Sequence, residues 1–129
     1  MNVLISDPAS NLGRALAAAF ERAGAQLTTQ DVDVLVNVSD PNENYRAAFE
    51  ADFFKPLELI QSVVPGMIAR RSGLIVSICS RSPSKSALEG MSRSAKLELH
   101  PHKIRVLILQ HDFNTPDEIA AQHIVAMAA

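Results

Sequence analysis

Four short runs, almost free of charge and each followed by a stretch with helical spacing, leave this chain few folds to adopt. They are NVLIS (2–6), DVLVNV (33–38), GLIVSICS (from 73) and IRVLIL (104–109). A strand with one wet face alternates apolar and polar residues, whereas a strand apolar throughout is covered on both faces. Such strands, alternating with helices, predict an α/β architecture: an open, doubly wound parallel sheet of four to five strands with helices on both faces. A barrel of eight strand–helix units takes about 250 residues, and the chain has 129.

The connecting segments carry start and stop signals. NLGRALAAAFERA (11–23) has apolar residues at helical spacing and is followed by Gly24, a good terminator. Residues 26–29 allow a brief strand. In SDPNENY, Asp40 and Pro41 are placed as N-cap and first helical residue of a long helix reaching about residue 70, with a kink expected at Lys55–Pro56. Ser82–Pro83 opens another helix, which His100–Pro101 ends, and Thr115–Pro116 opens the last. The whole chain, 1–129, reads as one domain.

Composition narrows the function classes. Apolar residues make up 47% and charged residues 20%, with a net charge of -2 and the signs interspersed. Neither nucleic acid nor an anionic membrane is expected to be attracted. No apolar run approaches a membrane span, and no basic segment followed by an apolar core opens the chain. The single cysteine, Cys79, has no internal partner and sits in an apolar strand, so a core position and a reducing, cytoplasmic location are expected.

The first strand–turn–helix has the grammar of a phosphate site, in which glycines let backbone approach phosphate and N–H groups point at it. Here the turn SDPASNLG holds one glycine, Gly13, together with Asp7 and Pro8. A carboxylate beside a pyrophosphate repels it, and proline supplies no N–H. Asp7, Ser10 or Asn11 is instead placed to cap the helix itself.

Taken together, NVLISDPASNLGRALAAAFERAGA, DVDVLVNVSD, FKPLELIQSVVPGMIARRSGLIVSICS and SKSALEGMSRSAKLELHPHKIRV resemble the short-chain dehydrogenase/reductase family, in the family's order and along nearly the whole chain. The resemblance implies an NAD(P)-binding Rossmann fold that interconverts alcohols and carbonyls, here as a reduced Rossmann-like sheet, and it assigns positions that can be compared one by one. The family's Thr-Gly-x-x-x-Gly-x-Gly turn falls on residues 6–13; Asp7 and Asn11 replace two glycines and Gly13 is kept. The two helices and strand that normally wall the adenosine have no room between Gly24 and Asp33. Of the Asn-Asn-Ala-Gly strand end, NVSD keeps Asn37 alone. The lysine of the catalytic group falls on Lys85, but its tyrosine falls on Arg81, which is always charged and serves as no base. The serine falls on Ser80, closer to Lys85 than in the family, and the asparagine on Asp52. The nicotinamide-seating Pro-Gly becomes His111–Asp112. The chain also ends at Ala129, ahead of the family's lid and terminal strand.

These replacements touch phosphate, adenosine, nicotinamide and proton transfer together, so the expectation is a catalytically dead, trimmed relative with no cofactor and no metal. Catalysis that rests on positioning and electrostatics does not survive losing all four. The histidines offer other chemistry. His100 and His102 flank Pro101 at a helix end, where a cation is favoured. His111, with Asp7, Asp40 and Ser80, lines the strand-end crevice, leaving a small-ligand or nucleotide-binding module, or a hydrolytic Ser80–His111 pair, as alternatives to a residual oxidoreductase.

The helices point elsewhere. Phe49 and Phe53 lie four apart, Phe54 and Leu57 three apart, and the two pairs are offset round the helix, so apolar surface covers more than one stripe. Leu88, Met91, Ala95 and Leu99 form a second stripe, next to the small residues Ala87, Gly90 and Ser94. The resemblance implies that the corresponding helices assemble subunits in the family. The leading expectation is therefore a non-enzymatic interaction protein, a homodimer or a hetero-complex with an enzyme partner, joined through residues 44–71 and 82–99.

Overall fold

The computed structural model describes residues 1–80, 82–111 and 115–128. Five parallel strands form one sheet: β1 (Asn2–Ile5), β2 (Gln26–Leu27), β3 (Val34–Asn37), β4 (Gly73–Cys79) and β5 (Ile104–Gln110), in the spatial order β2-β1-β3-β4-β5. Leu35 pairs with Ile75, and Ile75 with Val106, across the middle. Both faces are covered, as the uninterrupted apolar strands require. On one face Val34, Val36, Leu74, Val76 and Ile78 pack with α1 (Asn11–Arg22) and α5 (Asp117–Ala128). On the other, Leu35, Ile75, Ile104 and Val106 pack with α3 (Lys55–Arg70) and the end of α4 (Pro83–Leu99).

Strand β2 is only two residues long, and this makes the short link to β3 feasible. Parallel neighbours ordinarily need a crossover of a dozen or more residues. Because β2 ends beside Val3, residues 28–33 need only pass beneath the start of β1. Asn2 pins them there. Its side-chain amide donates to the Asp31 carbonyl (3.1 Å), and its backbone N–H donates to Asp33 Oδ2 (2.8 Å). Gly24, at φ 88°, turns the chain out of α1 in the left-handed region that glycine tolerates.

The helix after β3 starts later than Asp40–Pro41. Asn44 is the N-cap, accepting from the Ala47 N–H, and α2 covers Tyr45–Phe49. Asp40 is committed elsewhere, as described below. The expected kink lies at Glu50–Phe54, a π-helical turn in which the Lys55 N–H reaches back to the Glu50 carbonyl. Pro56 has no N–H to give to Asp52, and the widened turn relaxes the ladder just ahead of it. Ser10 and Ser82 cap α1 and α4.

Candidate active site

Both chemically charged parts of the strand-end crevice are built from residues distant in sequence. At the N-terminus of α1 the turn closes on itself. The Ser10 hydroxyl donates to the Asp7 carbonyl (2.7 Å) and accepts from the Gly13 N–H (3.1 Å). A side chain at Gly13 would run into the Asp7 carbonyl oxygen and the Ser10 hydroxyl, which explains why this glycine remains. Asp40, 29 positions from Asn11, completes the cap: its Oδ1 accepts from the Asn11 N–H (3.0 Å). A carboxylate from the chain itself thus occupies the positive end of the helix dipole, where an anion is favoured. Ser6 locks the turn to β3, donating to the Val38 carbonyl (2.9 Å) and accepting from the Val38 N–H (2.8 Å).

The second part is a buried ion pair. The π turn carries Asp52 inward, and the start of α4 carries Lys85 to meet it: Lys85 Nζ lies 3.1 Å from Asp52 Oδ1, with the two side chains 8% and 3% exposed. The ammonium also donates to the Ser39 carbonyl (3.2 Å) and hydroxyl (3.0 Å), so each of its three donors has an acceptor. Ser39 in turn donates to Asp52 Oδ1, and Ser84 donates to Asp52 Oδ2 (2.6 Å). The pair is therefore satisfied within the protein, the condition under which buried charges are tolerated.

Outside this network lies a cleft of about 1030 Å³, lined among others by Glu43, Asp52, Ser80, Lys85, Glu89 and His111. His111 is held at its edge. Its N–H donates to the Cys79 carbonyl (3.0 Å), and its Nε2 sits 3.3 Å from Asp117 Oδ1. Ser80 lines the same cleft as His111. Cys79 is fully buried, and desolvation pushes its thiol up to about 11 from 9.0. Among the described residues, no group of three or more His, Cys, Asp or Glu side chains is placed to hold a metal. No helix among them is long and apolar enough to cross a membrane.

The sequence-predicted positions separate accordingly. Asp52, Lys85 and Ser80 converge on the crevice, and Asp7, Asn11 and Gly13 form its turn. Arg81 and Asp112 lie outside the described residues. Tyr45, the one tyrosine, is 68% exposed at the start of α2. Ser84 and Ser39 were missed; a serine directly before the lysine, and one at a position the family fills with alanine, were the respective signals. Asp40 was placed in the crevice, where it lies; that it caps α1 and not the following helix carried no local signal, because its partner is remote. Asn37 is buried with neither side-chain polar atom bonded among the described residues.

Of the predicted interface residues, Phe54 is 46% exposed and forms an edge-to-face pair with Phe53, while Phe49, Phe53, Leu57, Met91 and Ala95 are half-buried. Leu88 and Leu99 are corrected: at 2% and 7% exposure they belong to the interior of the subunit, where α4 packs onto the sheet, and offer nothing to a partner. Leu97, 79% exposed on α4, was not singled out.

A dinucleotide is the group that such a fold implies, and these residues do not fit its pyrophosphate. The Asn11 and Gly13 N–H groups are already bonded to Asp40 and Ser10, and among the described residues, with β2 followed directly by β3, no element stands beyond β2 to wall an adenosine.

Comparison with known proteins agrees with this architecture. The chain is 30% identical over 128 residues to 3-ketodihydrosphingosine reductase of Bacteroides thetaiotaomicron, a match covering 89% of this chain and 40% of that protein. A short-chain dehydrogenase from Streptomyces avermitilis superposes with a TM-score of 0.72 at 25% identity, over 84% of this chain and 64% of the other. A metagenomic short-chain oxidoreductase in complex with NADP gives 0.80 at 18% identity, over 99% and 90%. This chain thus spans well under two thirds of the Bacteroides reductase and slightly under two thirds of the Streptomyces protein. The sequence profile of the short chain dehydrogenase family matches residues 13–113, and the chain belongs to that family.

Proposed function

We propose that this member of the family is a non-catalytic subunit, a pseudoenzyme that works by assembly with a second copy or with an enzyme partner. The observation that carries the reading is the self-occupied anion site: Asp40 and Ser10 hold the α1 donors that a cofactor phosphate would need. The saturated Lys85 ammonium supports it, since a lysine whose three donors are engaged has none to spare for a ribose or for proton transfer. The exposed Phe54 and Leu97, on the two helices assigned to assembly, supply apolar surface for contact.

The test is sedimentation of the purified chain beside Phe54→Asp and Leu97→Asp variants. Both side chains lie largely outside the core, so the variants are expected to fold; wild type is expected to sediment as a dimer or as a complex with an enzyme, and the variants as monomers. A wild-type monomer that holds no partner enzyme overturns the assembly reading. NAD(P)H turnover that disappears in Lys85→Ala overturns the non-catalytic one.

The cleft beside Ser80 and Lys85 favours one second reading, a small-ligand regulatory module. A thermal-shift panel of nucleotides and metabolites separates the two. A saturable shift abolished by Ser80→Trp belongs to the module, and silence removes nucleotides.

A further inference from the structure

We propose an internal hydration site beneath α4, where ordered water is bound between Asn37 of β3 and the Ser77–Ser92 pair that joins β4 to the helix. Asn37 ends β3 and is 0% exposed. Neither its Nδ2 nor its Oδ1 has a hydrogen-bond partner among the described residues. A buried amide in that state has lost its bonds to bulk water without replacing them. Folded proteins rarely leave such groups so; the partner comes from the chain or from ordered water.

The neighbours of Asn37 follow from strand geometry. Side chains alternate along a strand. Leu35, two residues before Asn37, and Ile75, two before Ser77, both belong to the core under α3 and the end of α4. Asn37 and Ser77 therefore face the same side, and they are register partners on adjacent strands, which lie about 4.8 Å apart. On the buried face of α4, Ser84, Leu88 and Ser92 recur every four residues. The Ser92 hydroxyl donates to the Ser77 hydroxyl (2.8 Å). Two hydroxyls carry two protons, and that bond uses one; the other has no acceptor among the described residues. An unbonded amide and a spare hydroxyl proton thus lie side by side, on residues at most 1% exposed.

The chemistry of these groups selects the occupant. It has to accept from the hydroxyl or the amide NH2 and donate to the amide oxygen. A cation would meet N–H and O–H donors. An anion would meet the amide oxygen and the Asp52 carboxylate, which Ser84 holds beneath the same helix. Water does both jobs, is neutral, and fits between strand and helix. Interiors hold roughly one buried water per ~27 residues, typically with about three bonds to otherwise unsatisfied groups. Most of α4 is then attached to the sheet side by polar contacts on either side of Leu88: Ser84 and Lys85 through Asp52, and Ser92 through Ser77 and water.

The experiment is a crystal structure of the intact chain at a resolution that shows ordered water, with nuclear magnetic resonance of the same protein in solution. Expected is density for water within about 3.2 Å of Asn37 Oδ1 or Nδ2 and of the Ser77 or Ser92 hydroxyl. In solution, the Asn37 side-chain amide protons are expected to cross-relax with water, with the sign of a molecule that stays longer than the protein takes to tumble. Thermal unfolding of Asn37→Leu adds a third reading. Leucine is similar in size but has no polar atoms, so it displaces the water and strands the hydroxyl proton, and Tm is expected to fall by about 4 °C or more. Dry packing around Asn37, a direct bond from its amide to Ser77 or Ser92, or an ion in place of water overturns the proposal. So does the absence of cross-relaxation with water, or an Asn37→Leu variant that melts at or above wild type.

Discussion

Replacing Asp52 with asparagine tests whether the buried network is as closed as it looks. The carboxylate accepts from Lys85, Ser39 and Ser84, and both ions of the pair are nearly out of solvent. At 3.1 Å and an effective dielectric of about 20, the pair attracts by about 5 kcal/mol. Desolvation of each ion costs several kcal/mol and offsets most of this, so the pair adds little beyond what an apolar pair would give. Removing one partner is different, because the remaining ion keeps its desolvation cost without the attraction. Asp52→Asn and Lys85→Met are each expected to lose about 3 kcal/mol, a large part of the ~5–15 kcal/mol typical of a domain. The double variant removes both charges and is expected to lose less than either single variant, so the losses are far from additive. Urea unfolding followed by far-UV circular dichroism reads the cycle, since the chain has no tryptophan. Repeating it in high salt is expected to leave the coupling nearly unchanged, as befits charges that water and ions do not reach. Single losses below about 0.5 kcal/mol, or additive ones, would refute the reasoning by showing that Lys85 is solvated.

Gly13→Ala is expected to destabilise by more than about 2 kcal/mol in the same assay, because the new Cβ meets the Asp7 carbonyl backbone oxygen. Asp40→Ala is expected to cost about 0.5–2 kcal/mol through loss of a cap and to make stability rise with added sulfate, since it frees the Asn11 N–H; indifference to sulfate removes Asp40 as the occupant of an anion site. Cys79 is expected to react with a disulfide reagent at pH 8 only as fast as the protein opens, and immediate labelling of native protein contradicts its burial. Its thiol is pushed up in the folded state, so the unfolded thiol ionises first: the stability it contributes is intact below pH 9.0 and falls between 9.0 and about 11. That slope is expected to disappear in Cys79→Ala.

Much of the fold was legible because its signals are local. Apolar runs without alternation announced a sheet buried on both faces, and Ser10, Ser82 and Gly24 end or start helices as their side chains dictate. The errors arose where a residue had two local roles and a distant partner chose between them. Asp40–Pro41 has a good cap signature, and so does Asn44; the Asn11 N–H, far off in sequence, claims Asp40 and leaves the helix to Asn44. The stripe of Leu88 and Leu99 shows that one face of α4 is buried without showing by what, and the sheet of the same subunit takes it. Lys85 and Asp52 were found through their spacing in a family pattern. Ser39 and Ser84, which satisfy them, carry no spacing rule because a hydroxyl serves any neighbour within reach.

A site that binds and transforms a ligand holds donors and charges unsatisfied until the ligand arrives, and the surrounding fold tolerates the strain. Here that pattern is inverted at two places in the crevice. The helix terminus is capped by Asp40, and the lysine has an acceptor for every proton. Groups closed in this way contribute to stability, and a ligand has to displace them before gaining anything. Among the described residues, Asn37 at the end of β3 keeps unbonded polar atoms, and the aromatic and aliphatic side chains of Phe54 and Leu97 stand exposed. Burial of apolar area is a gain that protein association offers. The closed Asp40 cap and Lys85 network and the exposed Phe54 and Leu97 are thus the two observations on which the proposed assembly role stands, and Phe54→Asp and Leu97→Asp perturb the second without touching the first.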